Sequence, residues 1–451
     1  MPDNIFREYD IRGIAGDELT EEIVELVGKA LAVYMRRKKK HNCMVVGRDG
    51  RLTSKGFANA LIDGLTSVGM NVIDIGEVST GVTYFGLFHL PVDGGVMITG
   101  SHNPKEYNGL KLGVGKSTIH GKEIQKIKAI IQKGAFPVAK KPVTITRMNI
   151  IPKYQQKILR GIKLKRKLKV VVDAGNGVGG KVGVDLFRAM GCDVVELYCK
   201  VDGNFPNHHP DPTLPKTLKK LVSTVKEEKA DLGIGFDGDA DRIGAVDDKG
   251  NFIAGDMLLL LFARQILKEV KGATVVGEVK CSRTMYEDIA KNGGNPIMYK
   301  AGHSLIKDCM VKNNAAIGGE MSGHIFFKHR WYGFDCAIYA AARLMEIIAA
   351  SHRPFHKHLE SLPKTFVTDE IRLETTDKKK FKIVEKATAF FLKEGYDVNT
   401  IDGARIEFPD GWGLLRVSNT SPMIVMRCEA ETKERLKEIR KLIEDKFNEL
   451  K

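Results

Sequence analysis

The chain lacks any uninterrupted apolar run approaching the ~20 residues that a helix needs to span a bilayer. Its longest candidate, Met257-Leu258-Leu259-Leu260-Leu261-Phe262-Ala263, is broken by Arg264 and reads as a buried helix. Cysteine is sparse and unpatterned. Cys43, Cys192, Cys199, Cys281, Cys309, Cys336 and Cys428 form no CxxC pair, which argues against a structural zinc site and against a disulfide framework. The start, Met1-Pro2-Asp3-Asn4, has neither the basic nor the apolar region of an export signal, so a cytoplasmic protein with reduced thiols is expected. Aromatics are missing from the basic runs Arg36-Arg37-Lys38-Lys39-Lys40 and Lys378-Lys379-Lys380. That absence weakens a nucleic-acid reading of the +15 net charge, since such runs suit solvated helix ends. A basic balance serves a small dianionic substrate equally well.

What is present is a globular composition, 43% hydrophobic and 28% charged, on 451 residues. That length exceeds one ordinary core and predicts about three or four domains. Apolar strand-like runs alternate with helix-length amphipathic segments, the mark of α/β layering. Met44–Gly47, Asn71–Ile75 and Gly95–Ile98 read as strands around a helix over Ser54–Val68. The pattern restarts with a strand at Leu168–Asp173, a helix at Lys181–Met190 and a strand at Cys192–Leu197. A third round opens with a helix over Met257–Lys268 and a strand at Thr274–Gly277, which suggests a repeated α/β unit. The tail differs: helices over Phe381–Lys393 and Glu431–Asn448 flank short strands at Gly413–Val417 and Met423–Met426, a smaller α+β domain. Linkers are expected near Ile151-Pro152, Asp248–Asn251 and Leu362-Pro363-Lys364, giving domains over 1–150, 151–249, 250–363 and 364–451.

Four loops, far apart in the chain, carry chemistry. Thr99-Gly100-Ser101-His102-Asn103-Pro104 follows the apolar run Val96-Met97-Ile98 and holds one hydroxyl on a Gly- and Pro-bounded turn. Such a turn suits a nucleophile or phosphoryl acceptor, and it suits a helix cap or turn hydroxyl equally well. Asp237-Gly238-Asp239-Ala240-Asp241-Arg242 offers three alternate carboxylates that converge on one hard cation if the loop curls. It is not an EF-hand, because Arg242 replaces the sixth-position glycine and Asp248 the twelfth-position glutamate. Magnesium with a coordination place open for a phosphate oxygen fits better than a bare acidic turn, in which the carboxylates would repel each other. In Gly318-Gly319-Glu320-Met321-Ser322-Gly323-His324, Glu320 and Ser322 suit neighbouring sugar hydroxyls, although a plain turn between strands explains the loop too. Arg416-Val417-Ser418-Asn419-Thr420-Ser421-Pro422, with Arg427 behind it, suits a phosphate, its alternative being an ordinary hairpin.

Together with Phe6-Arg7-Glu8-Tyr9-Asp10-Ile11-Arg12-Gly13, these loops resemble, nearly end to end and in the same order, the α-D-phosphohexomutase family. The phosphomannomutase/phosphoglucomutase branch is the most similar part of it. The resemblance implies four domains around a central cleft, the first three sharing an α/β mixed-sheet core and the fourth a smaller α+β domain. It implies that Ser101 is carried as phosphoserine, that one of its oxygens joins Asp237, Asp239 and Asp241 on magnesium, and that Arg242 steadies the transferring group. Glu320 and Ser322 would contact the sugar hydroxyls O3 and O4, with His324 nearby. Arg416, Ser418, Asn419 and Thr420 would clamp the phosphate that is not reacting, with Arg427 in support. Tyr9, Arg12 and Lys280 would line the cleft. Lys111, His303 or Arg12 would carry the proton that the sugar hydroxyl loses; for His303 and Lys280 a merely solvated side chain is the competing reading.

The implied reaction is a magnesium-dependent relay between hexose 1-phosphate and hexose 6-phosphate through a 1,6-bisphosphate, with glucose 1,6-bisphosphate or an equivalent as activator. Met321 points to mannose and glucose substrates, phosphoglucosamine being the runner-up. Partners are expected to be small hexose phosphates, with no nucleic acid and no membrane; monomer and dimer both stay open. Gly175-Asn176-Gly177-Val178-Gly179-Gly180 also satisfies G-x-G-x-x-G, with Glu196 about twenty residues on, as a nicotinamide-dependent oxidoreductase would need. Asp173 lies between the strand and those glycines and sets a negative charge where pyrophosphate would sit, so the match is read as a decoy. A basic nucleic-acid-binding protein is the remaining alternative, and it leaves the three carboxylates unexplained.

Overall fold

The computed structural model describes residues 1–36, 40–418 and 423–451. The centre of the basic run at 37–39, and Asn419 and Thr420 of the expected phosphate clamp, lie outside the described residues. The chain divides into two compact units, Met1–Leu258 with Ser322–His358, and Leu259–Met321 with Leu359–Lys451.

The first unit holds two mixed sheets. One runs, in spatial order, Ile11–Ile14, Tyr107–Val114, Gly94–Ile98, Cys43–Arg48, Asn71–Glu77 and Ile145–Arg147. Cys43–Arg48 pairs parallel with both Asn71–Glu77 and Gly94–Ile98, and the chain then turns back antiparallel into Tyr107–Val114. Gly94–Ile98 is buried along its whole length, so it reads as a continuous apolar run rather than an alternation. The helices Glu21–Met35 and Ser54–Ser67 cover this sheet through Val24, Val27, Leu31, Phe57, Leu61 and Leu65, all in one core with Met44, Val46 and Val96. Each such Leu or Val contributes about 1.5–3 kcal/mol by leaving water. The second sheet runs Phe252–Ile253, Ile243–Asp247, Leu232–Phe236, Lys169–Asp173 and Asp193–Leu197, with Gly179–Ala189 and Lys219–Glu227 as its helices.

The second unit holds the parallel strands Asn295–Tyr299, Thr274–Glu278 and Ile317–Gly319, with helices Arg283–Lys291 and His303–Lys312. It continues into an antiparallel sheet ordered Phe366–Val367, Met423–Ala430, Gly411–Val417, Ala404–Phe408 and Asp397–Asn399. One face of that sheet, carrying Leu415, Ile424, Met426 and Cys428, packs on the helices Asp377–Lys393 and Lys433–Leu450. The opposite face sets Trp412 and Leu414 against Val279. Buried Arg405 stacks 3.8 Å from the Trp412 ring centre and donates to the carbonyls of Val279, at 2.6 Å, and Cys281, at 2.9 Å. Breaking these bonds would strand a buried guanidinium, so they tie the tail sheet to the strand ends of its neighbour.

The strands and helices expected from periodicity are present with ends moved by a few residues, and the architecture is the expected α/β series followed by an α+β tail. Two of the segments expected as linkers carry regular local structure. Ile151-Pro152 opens the helix Ile151–Gly161, where proline in the first turn has no hydrogen bond to lose. Asp248–Asn251 is a tight hairpin in which the Asp247 carboxylate accepts from Lys249 N and Asn251 N, both at 2.9 Å.

Candidate active site

In the first unit Ser101 ends the strand Gly94–Ile98 in a left-handed backbone conformation, φ +50°. That geometry costs a non-glycine residue about 1–3 kcal/mol, so the surroundings must hold it. Ser101 N donates to Thr99 Oγ1 at 2.7 Å, and the hydroxyl, 2% exposed, donates to Asp237 Oδ2 at 2.7 Å. His102 Nδ1 lies 3.2 Å from the same hydroxyl. Burial, together with Arg242 and Arg12, keeps that imidazole well below its ordinary pKa and therefore neutral.

The Asp237 loop joins Leu232–Phe236 to Ile243–Asp247 as a hairpin, with Ala240 at φ +54°. Asp237 Oδ1 accepts from Asp241 N and Arg242 N, both at 3.0 Å, which curls the loop. The three carboxylates are fully buried and offer oxygens within 4.8 Å of one another. Their mutual repulsion is answered from another strand: Lys111 Nζ donates to Asp239 Oδ2 at 2.7 Å and to Asp241 Oδ2. Thr80 Oγ1 adds a bond to Asp239 Oδ2 at 2.6 Å. Burial and the two neighbouring carboxylates raise Asp237 well above the ordinary carboxylate range. For Asp239 burial pushes upward as well, but Lys111 and Thr80 outweigh it and hold the group low. Asp239 Oδ1 and Asp241 Oδ1 are buried with no hydrogen-bond partner among the described residues. Orphaned, converging carboxylate oxygens are what a hard divalent cation coordinates, so the donor set fits magnesium.

Arg12, on Ile11–Ile14, pairs with Asp10 and donates to Asn103 Oδ1 beside the serine turn. Tyr9 sits half-buried just before it. Arg242 Nε donates to His324 Nε2 at 3.0 Å, so the proton of a neutral His324 ring sits on Nδ1. That nitrogen faces Asp335 Oδ2 at 3.3 Å and Asp241 Oδ1 at 3.6 Å. Ser322, in the same segment, is half-buried. The first unit therefore gathers Ser101, the three aspartates, Lys111, Arg12, Arg242 and His324.

The second unit gathers the remaining described candidates. Glu320 Oε1 accepts from Gly302 N at 2.7 Å, at the start of the helix that His303 opens; His303 is half-buried. Lys280 Nζ lies 3.7 Å from Glu278 Oε1 and 3.3 Å from Glu370 Oε2. Burial alone would depress its pKa, and the two carboxylates reverse this and keep the ammonium charged. Arg416 and Arg427 stand on neighbouring antiparallel strands. Arg416 is opposite Val425 and Arg427 opposite Leu414, so the alternation puts both guanidinium groups on one face. Arg416 Nε donates to Asp402 Oδ2 at 2.9 Å, and that same oxygen accepts Ala301 N at 3.0 Å. Arg427 is 5% exposed, and its Nε and Nη1 have no partner among the described residues. Ser418 N is taken by Met423 O, and Lys380 Nζ donates to Ser418 O at 2.9 Å. A buried cation with open donors is an anion site in waiting.

The glycine-rich turn that imitates a dinucleotide fingerprint has another use. A Cβ at Gly177 would stand 2.6 Å from Gly238 O, and Val178 N donates to that same oxygen at 3.1 Å. The Asp237 loop thus rests on this turn, in the space a pyrophosphate would need. Asp173 is engaged with Gly175 N at 2.9 Å and His208 Nε2 at 3.0 Å.

Several side chains that hold candidate residues in place escaped sequence reasoning: Arg51, Thr80, Asp335 and Asp402. Only Arg51 carried a local signal, an Asp49-Gly50-Arg51 turn at the C-terminal end of a parallel strand, the usual place for a site.

Residues 3–138, 152–250 and 254–366 match, in turn, the alpha/beta/alpha domains I, II and III of phosphoglucomutase/phosphomannomutase, and 370–446 match its C-terminal domain. A phosphomannomutase/phosphoglucomutase of Pseudomonas aeruginosa is 44% identical over 440 residues, covering 98% of this chain and 94% of its own length. A phosphoglucomutase of Neisseria gonorrhoeae is 43% identical over 438 residues, covering 97% and 95%. The crystal structure of a phosphoglucomutase/phosphomannomutase family protein from Burkholderia thailandensis superposes with a TM-score of 0.93 at 39% identity, covering 100% of this chain and 98% of that one.

Proposed function

The chain belongs to the phosphoglucomutase/phosphomannomutase family, and on that premise we propose that it interconverts hexose 1-phosphates and hexose 6-phosphates of mannose and glucose by a phosphoserine relay. The observation that carries this reading is the Ser101 hydroxyl, held in a strained turn 2.7 Å from a buried carboxylate of the Asp237 cluster.

Phosphorylated Ser101 donates its group to the free hydroxyl of a hexose monophosphate. The bond from phosphorus to Ser101 Oγ breaks as the bond to the sugar oxygen forms. The sugar hydroxyl gives up its proton and Ser101 Oγ ends the step protonated. The bisphosphate then turns end for end, and Ser101 Oγ takes back the other phosphate with the opposite proton traffic. Phosphoryl transfer asks the protein for positioning and charge neutralisation above all. Asp237, Asp239 and Asp241 would hold one magnesium ion, which supplies positive charge to the transferring oxygens. Arg242 and Arg12 add fixed positive charge beside Ser101. Lys111, Arg12 and His303 are the proton carriers we propose; Lys111 Nζ holds its proton against Asp239 and Asp241. Arg416, Arg427 and Ser418, with Asn419 and Thr420, bind the idle phosphate, while Glu320, Ser322 and His324 read the sugar hydroxyls and Tyr9 and Lys280 line the path.

Glucose 1,6-bisphosphate or an equivalent bisphosphate restores the phosphoserine and so acts as activator. The seven cysteines, none of them in a disulfide, suit a reducing compartment, which we take to be the cytoplasm. Met321 favours mannose and glucose over glucosamine phosphate. Phosphorus NMR of α-mannose 1-phosphate with the protein, magnesium and a trace of glucose 1,6-bisphosphate tests the reading. Mannose 6-phosphate should appear, and its absence with mannose, glucose and glucosamine phosphates alike would overturn it.

A further inference from the structure

We propose that Arg51 is a positioning residue for phosphoryl transfer, its guanidinium being the template on which the Ser101 turn is shaped; this rests on the mutase reading above.

The side chain of Arg51 is wholly buried and reaches the turn from the end of a different strand. Its Nη2 donates to Ser101 O at 2.8 Å and Asn103 O at 2.7 Å. Its Nη1 donates to Pro104 O at 2.7 Å and Tyr107 O at 2.9 Å. One planar fork thus collects four backbone carbonyls within seven residues of chain, a pattern that only guanidinium geometry satisfies. Asp49 supports it from behind: its Oδ2 lies 3.3 Å from Arg51 Nε and accepts Gly100 N at 3.3 Å. The Phe205 ring covers the other side, 5.1 Å from the guanidinium carbon.

The glycine before the serine records the same arrangement. Gly100 does not have a positive φ, so backbone freedom does not demand glycine there. A Cβ at Gly100 would stand 2.5 Å from the guanidinium carbon and from Nε. Gly100 is therefore glycine because Arg51 fills the space beside it. The strained Ser101 backbone is held by this contact and by Thr99, and Arg51 makes no bond to the Ser101 hydroxyl. Arg51 should accordingly affect the rate of transfer and not the affinity for substrate, whose idle phosphate we assign to other residues.

Arg51→Lys supplies a charge but cannot span four carbonyls. We expect turnover to fall about 30-fold or more with KM within twofold of wild type. Hydrogen exchange over residues 99–107 should rise while exchange in the rest of the sheet stays unchanged. Phe205→Leu leaves every hydrogen bond in place and keeps the test valid if Arg51→Lys does not fold; it should lower turnover three- to tenfold with the same KM. A folded Arg51→Lys protein with turnover within threefold of wild type overturns the proposal, as does a loss expressed in KM with exchange over 99–107 unchanged. Wild-type protein without mutase activity would defeat the functional reading instead, and the exchange over 99–107 would still report whether Arg51 shapes the turn.

Discussion

The first unit clusters the buried carboxylates Asp237, Asp239 and Asp241, and the second clusters the cations Lys280, Arg405, Arg416 and Arg427. Each leaves some of these atoms unpaired among the described residues. In the first, Asp237, Asp239 and Asp241 crowd together, and Lys111 and Thr80 answer part of the repulsion. Asp239 Oδ1 and Asp241 Oδ1 remain open. In the second, Lys280, Arg405 and Arg416 are matched to carboxylates or carbonyls, and Arg427 keeps two donors open. A folded chain seldom leaves such groups bare, because each costs about 1–3 kcal/mol or more. The contrast supports the proposed division of ligands: a cation and a transferring phosphoryl group with the first set, a phosphate that stays put with the second. On the proposed function, transfer and holding are separate tasks on separate residues.

That division predicts opposite kinetic signatures. Ser101→Ala should abolish turnover by a factor on the order of 10³ or more while the fold, followed by circular dichroism, is retained. Full activity would remove the phosphoserine from the mechanism. Asp239→Asn should come next, with turnover down about a hundredfold and the magnesium concentration for half-activity raised, because a ligand to the metal is weakened. An unchanged metal requirement would move the metal elsewhere. Arg416→Ala should act on binding, raising KM by the equivalent of about 2–5 kcal/mol with a smaller change in turnover. If instead turnover collapses and KM holds, the separation of tasks fails. Asp402→Asn sharpens the same point: it removes the charge that orients Arg416 and should raise KM by the equivalent of about 1 kcal/mol.

Much of the site was legible because each of its four loops is contiguous. Ser101 and its glycine and proline neighbours, the alternating aspartates, Glu320 with Ser322, and Arg416 with Ser418 all sit in short turns after apolar runs, where rigid strands present side chains. What escaped belongs to the spaces between loops. Thr80 reaches Asp239 across 159 positions, the contact of Lys111 with Asp239 spans 128, and Asp402 seats Arg416 from the turn before the neighbouring strand. Gly177 and Gly100 were visible as turn glycines, yet their reasons, Gly238 and Arg51, are long-range. The segments expected as linkers near 151 and 248 carry local structure that the sequence left open, for a related cause. Proline and glycine mark a change of direction, and whether that change is a helix start, a hairpin or a hinge depends on what packs beside it.

By itself the sequence determined the strand and helix content, the order of the α/β layers and the chemical groups at each turn, because periodicity, turn residues and motif spacing are local properties. Only the tertiary structure decided which carboxylate oxygens stay open, which lysine stands against them, which arginine shapes the serine turn and which glycines exist for packing. Those depend on distances of a few ångströms between residues that are 49 to 159 positions apart in the contacts named, and nothing in a local pattern encodes them.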